Sequence, residues 1–265
     1  MRELAILGGG FMGGALAEGL VNGGTAPDDI IVAELLDDRR KDLGQRLGVA
    51  TTADPARAAA EATTVLVAVK PQDITAVLEA VADHIDATNV VVSICAGITT
   101  KAFESALGKV AVIRAMPNTP AAIGAGATAI APGRFAGSSH LALARSLLEV
   151  AGEVVVVAES QMDAVTAVSG SGPAYLFYLA EAMIEAAQTE GLSEQQASAL
   201  VTQTLVGASR LLAQDAASPS ELRARVTSPG GTTQAALESM AAAGVKEAIV
   251  AAVGCARQRS EELGS

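Results

Sequence analysis

Gly8, Gly10 and Gly13 stand in a G-x-G-x-x-G spacing, with Phe11 and Met12 between the last two. That spacing holds the pyrophosphate of a dinucleotide when it joins a strand to a helix. Here an apolar run, Leu4 to Leu7, precedes it, and Leu16, Leu20 and Val21 follow at helical intervals. Gly8 permits the tight turn, Gly10 lets the backbone approach a pyrophosphate, and Gly13 lets the helix lie close on the sheet. The N–H groups at the helix start then face the phosphates. A glycine-rich turn with no ligand is the competing reading, and the strand-to-helix context weighs against it.

Glu34 lies 21 residues beyond Gly13, at the end of the run Ile30 to Ala33. An acid there bonds both ribose hydroxyls of NAD and repels the 2′-phosphate of NADP. The alternative is a solvated surface acid. Arg39 and Arg40 follow closely and are in range of a 2′-phosphate, so the spacing leans to NAD and leaves the cofactor open. Three further apolar runs end in marked turns: Ala68-Val69-Lys70-Pro71, Cys95-Ala96-Gly97 and Met116-Pro117-Asn118. Ligands of open α/β sheets bind beyond the carboxyl ends of the strands. Singly each of these is a plain turn; together they outline a cleft long enough for a dinucleotide.

Two glycine stretches in the C-terminal half are of another kind. Ser169-Gly170-Ser171-Gly172-Pro173 and Ser228-Pro229-Gly230-Gly231-Thr232-Thr233 each precede a helical pattern. Glycines, hydroxyls and a helix N-terminus suit a carboxylate without any arginine. Ordinary capping by Ser or Thr competes with that reading. His84 and His140 sit in polar, helix-flanking segments and read as surface residues. No Ser-His-Asp set is visible. Cys95 and Cys255 form no C-x-x-C or Cys/His cluster, so no metal site is expected. Cys95 reads as a small residue lining the cleft, not as a nucleophile.

The elements that must position these residues alternate. Strands are expected at Ile30–Ala33, Val65–Val69, Val90–Ile94, Val110–Arg114, Gly126–Ala131 and Glu153–Val157. Helices are expected over Asp38–Leu47, from Pro55 to about Ala62, around Ile74–Val81, over Thr100–Leu107 and from about Ser139 to Val150. This is an α/β pattern: a Rossmann-like, doubly wound, mostly parallel sheet, with the direction of the last two strands left open. After Ser160 no β-branched run appears. A helix from Pro173 to Glu190 carries only Glu181 and Glu185 as charges between Ala174 and Ala187. Capping boxes at Ser193 and Ser218 open two more helices, and Thr232–Ala243 and Val245–Glu262 complete an all-α half. The expected domains are a dinucleotide-binding unit, residues 1–159, and a helical substrate-binding and dimerisation unit, residues 160–265. A helix apolar almost all round is buried. A domain of about 105 residues encloses such a helix poorly, so subunit association is expected to cover it.

Composition narrows the partners. Half of the 265 residues are hydrophobic and 18% are charged, which supports a real core. The formal charge of −11 divides into −6 for residues 1–159 and −5 for the rest, and aromatics make up 2%. With no basic face and few stacking rings, nucleic acid is not an expected partner. Residues 1–20 lack a basic leader, and no apolar stretch is long and unbroken enough for a membrane span. Two free thiols suit a reducing compartment, so a cytoplasmic location is expected.

The motifs also occur in a known order. The glycine loop, A-V-K-P at 68–71, I-C-A-G at 94–97, R-A-M-P-N-T-P at 114–120, S-G-S-G-P-A-Y at 169–175 and S-P-G-G-T-T at 228–233 together resemble the pyrroline-5-carboxylate reductase family over essentially the whole chain. The resemblance implies NADPH- or NADH-dependent reduction of 1-pyrroline-5-carboxylate to L-proline, the last step of proline biosynthesis. It implies a helical domain that dimerises by interlocking helices and often builds decamers. From the residues themselves, the N–H groups of Gly230, Gly231 and Thr232 are expected to hold the substrate carboxylate, with Ser228 and Thr233 also in the substrate site. The resemblance further implies that the Thr233 hydroxyl is the catalytic group, hydrogen-bonded to the ring nitrogen. Lys70 is expected near the cofactor, where it favours anionic ligands; Ala68, Cys95, Ala96 and Asn118 are expected to line its nicotinamide end, with Val69 and Gly97 also cofactor-binding; and a partner subunit is expected to complete the pocket. One departure stands out: the family often has small polar or basic residues after the second strand, and this chain has Glu34-Leu35-Leu36. Two rival classes remain. One is a related imine or hydroxyacid dehydrogenase, which normally uses a lysine on the long helix after the Rossmann domain; Pro173–Glu190 has none. The other is a non-catalytic dinucleotide-binding regulator.

Overall fold

Short β-branched runs separated by helical patterns fold as an alternating β/α order in a computed structural model that describes residues 1–264. β1 (Arg2–Leu7) leads into α1 (Phe11–Asn22), β2 (Ile30–Ala33) into α2 (Asp37–Leu47), β3 (Ala50–Thr52) into α3 (Pro55–Ala60), and β4 (Ala62–Val67) into α4 (Ile74–Val81). Then come β5 (Val90–Ser93), α5 (Thr100–Leu107), β6 (Ala111–Met116), β7 (Gly126–Pro132), α6 (Ser138–Leu148), β8 (Gly152–Val156) and the short α7 (Met162–Val165). The eight strands form one sheet in the order β3-β2-β1-β4-β5-β6-β7-β8. β1 to β6 are parallel, β7 runs antiparallel to β6, and β8 runs parallel to β7. The direction that periodicity left open is thereby settled: both last strands oppose the others.

Strand order reverses beside β1, whose Leu7 pairs with Ala33 of β2 on one side and Val67 of β4 on the other. A crevice opens at such a switch point, at the carboxyl ends of the strands. Because side chains alternate across a strand, Leu4 and Ile6 enter one core with Leu16, Leu20, Leu43 and Leu148, while Ala5 and Leu7 enter the other with Ala58, Leu78 and Phe103. α1, α2 and α6 thus cover one face and α3, α4 and α5 the other. β3 was not expected: three residues, Ala50-Thr51-Thr52, pair with β2 at the sheet edge without any apolar run to announce them.

Residues 1–171 and 256–264 form one compact unit and residues 172–255 a second. The boundary expected at 159/160 falls just after β8, whereas this division comes after Ser171. Between α7 and that point, Thr166–Gly170 is a π-helical turn closed by Ser171 N–H donating to Thr166 O at 2.8 Å. The second unit holds α8 (Gly172–Thr189), α9 (Glu194–Gln214), α10 (Pro219–Arg225), α11 (Thr232–Ala242) and the first part of α12 (Val245–Leu263). Both expected capping boxes form: the Gln196 and Glu221 N–H groups donate to Ser193 Oγ and Ser218 Oγ, each at 3.3 Å. Among its residues only Ala197 and Val201 are buried, and α8 exposes Leu176, Phe177 and Tyr178. The helix expected to be buried is therefore open in one chain. The end of α12 belongs to the first unit, where Ser260 Oγ donates to Asp163 Oδ1 at 2.7 Å and the backbone of Leu263 lies against Gly97.

Arg114, buried on β6, reaches Glu159 Oε1 at 3.5 Å. Glu159 in turn accepts the Thr100 N–H and hydroxyl, both at 2.7 Å, and so fixes the start of α5. Arg114→Met is expected to destabilise the fold by about 2 kcal/mol, because it takes the paired cation from a half-buried carboxylate. A urea midpoint shift at unchanged slope is the measurement.

Candidate active site

The crevice begins at Gly8. Its φ is +106°, and a Cβ there would stand 2.6 Å from Ala68 O. A Cβ on Gly13 would stand 2.0 Å from Gly8 O and 3.1 Å from Ala68 Cβ. Both positions therefore exclude any side chain, and α1 seats directly on the turn. Gly10 differs: among the described residues, nothing lies nearer its Cβ position than Arg39 Nη1 at 3.8 Å. Gly10 also starts α1 without a side-chain cap among the described residues. An open face beside an uncapped 12-residue helix is the cradle a pyrophosphate needs. The residues present thus fit a dinucleotide. Phe11 is exposed and Met12 packs partly on the core.

Glu34 is not a solvated surface acid. It is 8% exposed, and its carboxylate is tied into the glycine turn. Gly9 N–H donates to Oε2 at 3.1 Å and Leu36 N–H to Oε1 at 2.9 Å. Arg39 Nη1 pairs with Oε2 at 3.3 Å. Arg40 turns elsewhere, to Glu34 O at 2.8 Å, Leu35 O at 3.2 Å and the Asp37 carboxylate at 2.5 Å. Leu35 and Leu36 are exposed beside it.

Four loops follow four neighbouring parallel strands, β1, β4, β5 and β6, so Gly8–Gly13, Ala68–Lys70, Cys95–Gly97 and Pro117–Asn118 share one sheet edge. Ala68 and Val69 are half-buried and Lys70 is exposed. Ala96 is exposed and Gly97 has φ +76°. Two side chains expected to line the cleft are bonded to the protein itself. The Cys95 thiol packs in the core, donating to Val69 O at 3.3 Å and lying 3.7 Å from Val67 O, and burial pushes its pKa up. A low-dielectric pocket favours the apolar thiol, which is why it turns inward. The Asn118 amide is spent on structure. Its Nδ2 donates to Ser169 O at 3.2 Å and Oγ at 3.3 Å, and its Oδ1 accepts Ala127 N–H at 2.9 Å. Ser169 belongs to the first of the two glycine stretches. His84 is exposed, and His140 Nδ1 accepts Gly137 N–H at 2.9 Å at the start of α6.

In the second unit, Ser228–Thr233 forms a tight turn into α11. Gly230 has φ +71°, and a Cβ on Gly231 would meet Ser228 Oγ at 2.4 Å. Two of the N–H groups expected to hold a carboxylate are already used. Gly231 N–H donates to Ser228 O at 3.0 Å, and Gly230 N–H to Gln234 Oε1 at 2.7 Å. Gln234 is steadied by Nε2 donating to Glu238 Oε1 at 2.8 Å. Neither Gln234 nor Glu238 was expected; their i,i+4 spacing is visible in the sequence, but its purpose appears only with the turn. No side chain among the described residues caps α11, whose N-cap is Gly231. The first-turn N–H groups of Thr232 and Thr233, without intrahelical partners by position, remain to bind an anion.

Comparison with known proteins adds to this geometry. Residues 159–263 match the family model described as pyrroline-5-carboxylate reductase dimerisation, and residues 3–97 match the one described as NADP oxidoreductase coenzyme F420-dependent. A pyrroline-5-carboxylate reductase of Mycobacterium tuberculosis (strain CDC 1551 / Oshkosh) is 44% identical over 287 aligned positions, spanning 99% of this chain and 97% of its own length. The solved pyrroline-5-carboxylate reductase of Coxiella burnetii superposes with a TM-score of 0.96 at 36% identity, covering 100% of this chain and 99% of that one. The Plasmodium falciparum pyrroline carboxylate reductase, solved with NADP bound, gives 0.88 at 26% identity, covering 100% and 98%.

Proposed function

This chain belongs to the pyrroline-5-carboxylate reductase family, and we propose from that footing that it reduces 1-pyrroline-5-carboxylate to L-proline with NADPH or NADH, the last step of proline biosynthesis. The observation that carries the reading is the uncapped start of α11, behind a turn that Gln234 and Ser228 hold closed.

A C=N bond becomes strongly electrophilic once its nitrogen is protonated, so the chain has to bind, orient, exclude water and deliver that proton. The bound dihydronicotinamide supplies a hydride. Gly8–Gly13 and Glu34 hold the cofactor's pyrophosphate and ribose, with the backbone of Ala68, Val69, Cys95, Ala96 and Gly97 along the same sheet edge. Asn118 positions the loop after β6 through Ser169. Lys70 favours anionic ligands nearby. The N–H groups of Thr232 and Thr233, with Ser228 Oγ, hold the substrate carboxylate. Thr233 Oγ1–H donates to the lone pair of the neutral ring nitrogen and passes it a proton, replaced from solvent, as hydride reaches C5.

A second copy covers the apolar side of α8, giving a homodimer, which we extend to a decamer by family likeness. Among the described residues no single helix is long and apolar enough to cross a membrane. Cys95 and Cys255 are both free thiols, which suits the cytoplasm.

Oxidation of NADH and of NADPH should be followed with 1-pyrroline-5-carboxylate and, separately, 1-pyrroline-2-carboxylate. Turnover with the 5-carboxylate at least about 100-fold above the 2-carboxylate is expected, a ratio of the size that a misplaced reacting carbon produces. Preference for the 2-carboxylate would point to a different imine reductase. Cofactor binding without turnover on either would point to a regulator.

A further inference from the structure

The two arginines after β2 have different tasks. Arg40 is fixed by two backbone carbonyls and the Asp37 carboxylate. Arg39 has one partner among the described residues, Glu34, at 3.3 Å, and its side chain is 46% exposed. That distance is long for a charge-assisted hydrogen bond. Its Nη1 also lies 3.8 Å from the Cβ position of Gly10, over the open face of the glycine turn. Glu34, by contrast, keeps two backbone donors, Gly9 and Leu36, whatever Arg39 does.

We propose that Arg39 admits a 2′-phosphate by turning from its long contact with Glu34 to stand between that carboxylate and the phosphate, and that the Glu34–Arg39 pair lets one site take both NADPH and NADH. The inference rests on the dinucleotide reading of the β1–α1 turn. A phosphate set beside a fixed carboxylate is repelled unless a cation stands between them. Arg39 is the nearby cation free to move into that position. When the ribose carries a hydroxyl instead, the hydroxyl donates to Glu34 Oε2, and Arg39 swings aside into solvent. Nothing else in the turn has to change, because Glu34 stays anchored by its two N–H donors. The exposed Leu35 and Leu36 flank the exchange without contributing charge.

Dissociation constants for NADPH and NADH, measured by calorimetry on wild type, Arg39→Gln and Arg39→Lys, test this. Arg39→Gln is expected to weaken NADPH about tenfold and NADH less than about twofold, with Arg39→Lys between, as a point charge restores attraction without the fork. The wild-type NADPH constant should also rise more steeply with salt than that of Arg39→Gln. Equal losses for both cofactors, or no loss for either, overturn the proposal. If the wild type binds neither cofactor, the dinucleotide reading itself fails. Thermal unfolding of each variant, expected to match wild type, separates a lost contact from a damaged fold.

Discussion

Gly13→Ala is expected to weaken NADPH binding by about 100-fold or more, the size of loss that a misplacement of about 1 Å produces, and to destabilise the fold by roughly 3 kcal/mol. The added methyl would stand 2.0 Å from Gly8 O. Gly8 has nowhere to retreat, because its own Cβ position is already 2.6 Å from Ala68 O. Relief comes only if α1 lifts from the sheet, dragging Leu16, Ala17 and Leu20 out of a packed core. The helix N-terminus then no longer points at the pyrophosphate. Gly10→Ala is the matched control. Its φ is −68° and its Cβ position is clear to 3.8 Å, so its urea midpoint should stay near wild type while cofactor affinity still falls. Wild-type NADPH affinity in Gly13→Ala would refute the cradle assignment.

Thr233→Ala is expected to lower kcat about 100-fold and to change KM less than about threefold, since the N–H groups that hold the carboxylate are backbone. Thr233→Ser should recover most of the rate because it restores the hydroxyl. The second residue of α11 is partly exposed and makes no core contact, so the fold should be indifferent to either change. A Thr233→Ala enzyme that retains full kcat removes Thr233 from the mechanism. Loss in KM alone assigns it to binding.

Much of this was legible before any fold was known, because local signals carried it. A G-x-G-x-x-G between an apolar run and a helical pattern specifies a turn, and Gly8 and Gly13 occupy the constrained places expected of them. Ser193 and Ser218 announced their helices through partners three residues away. What escaped depends on contacts between distant residues or on which way a side chain turns. Glu34 was equally readable as a surface acid until Gly9, 25 positions earlier, was seen to donate to it. Cys95 and Asn118 stand at strand ends, as spacing indicated, yet one side chain turns into the core and the other bridges to Ser169. β3 carries three residues and no hydrophobic period, so no window of sequence reveals it. The division after Ser171 is set by which helices pack where, and composition had changed already at Ser160.

The first unit recruits residues 256–264 from the far end of the chain, with Ser260 bonded to Asp163 and Leu263 against Gly97. On the ribosome those residues appear after all of the second unit. The sheet can assemble early, but the loop at the carboxyl end of β5 lacks its neighbour until translation has passed Leu263. The nascent chain is thus expected to acquire a protease-resistant sheet well before that loop becomes protected. Stalled chains released at successive lengths would separate the two events.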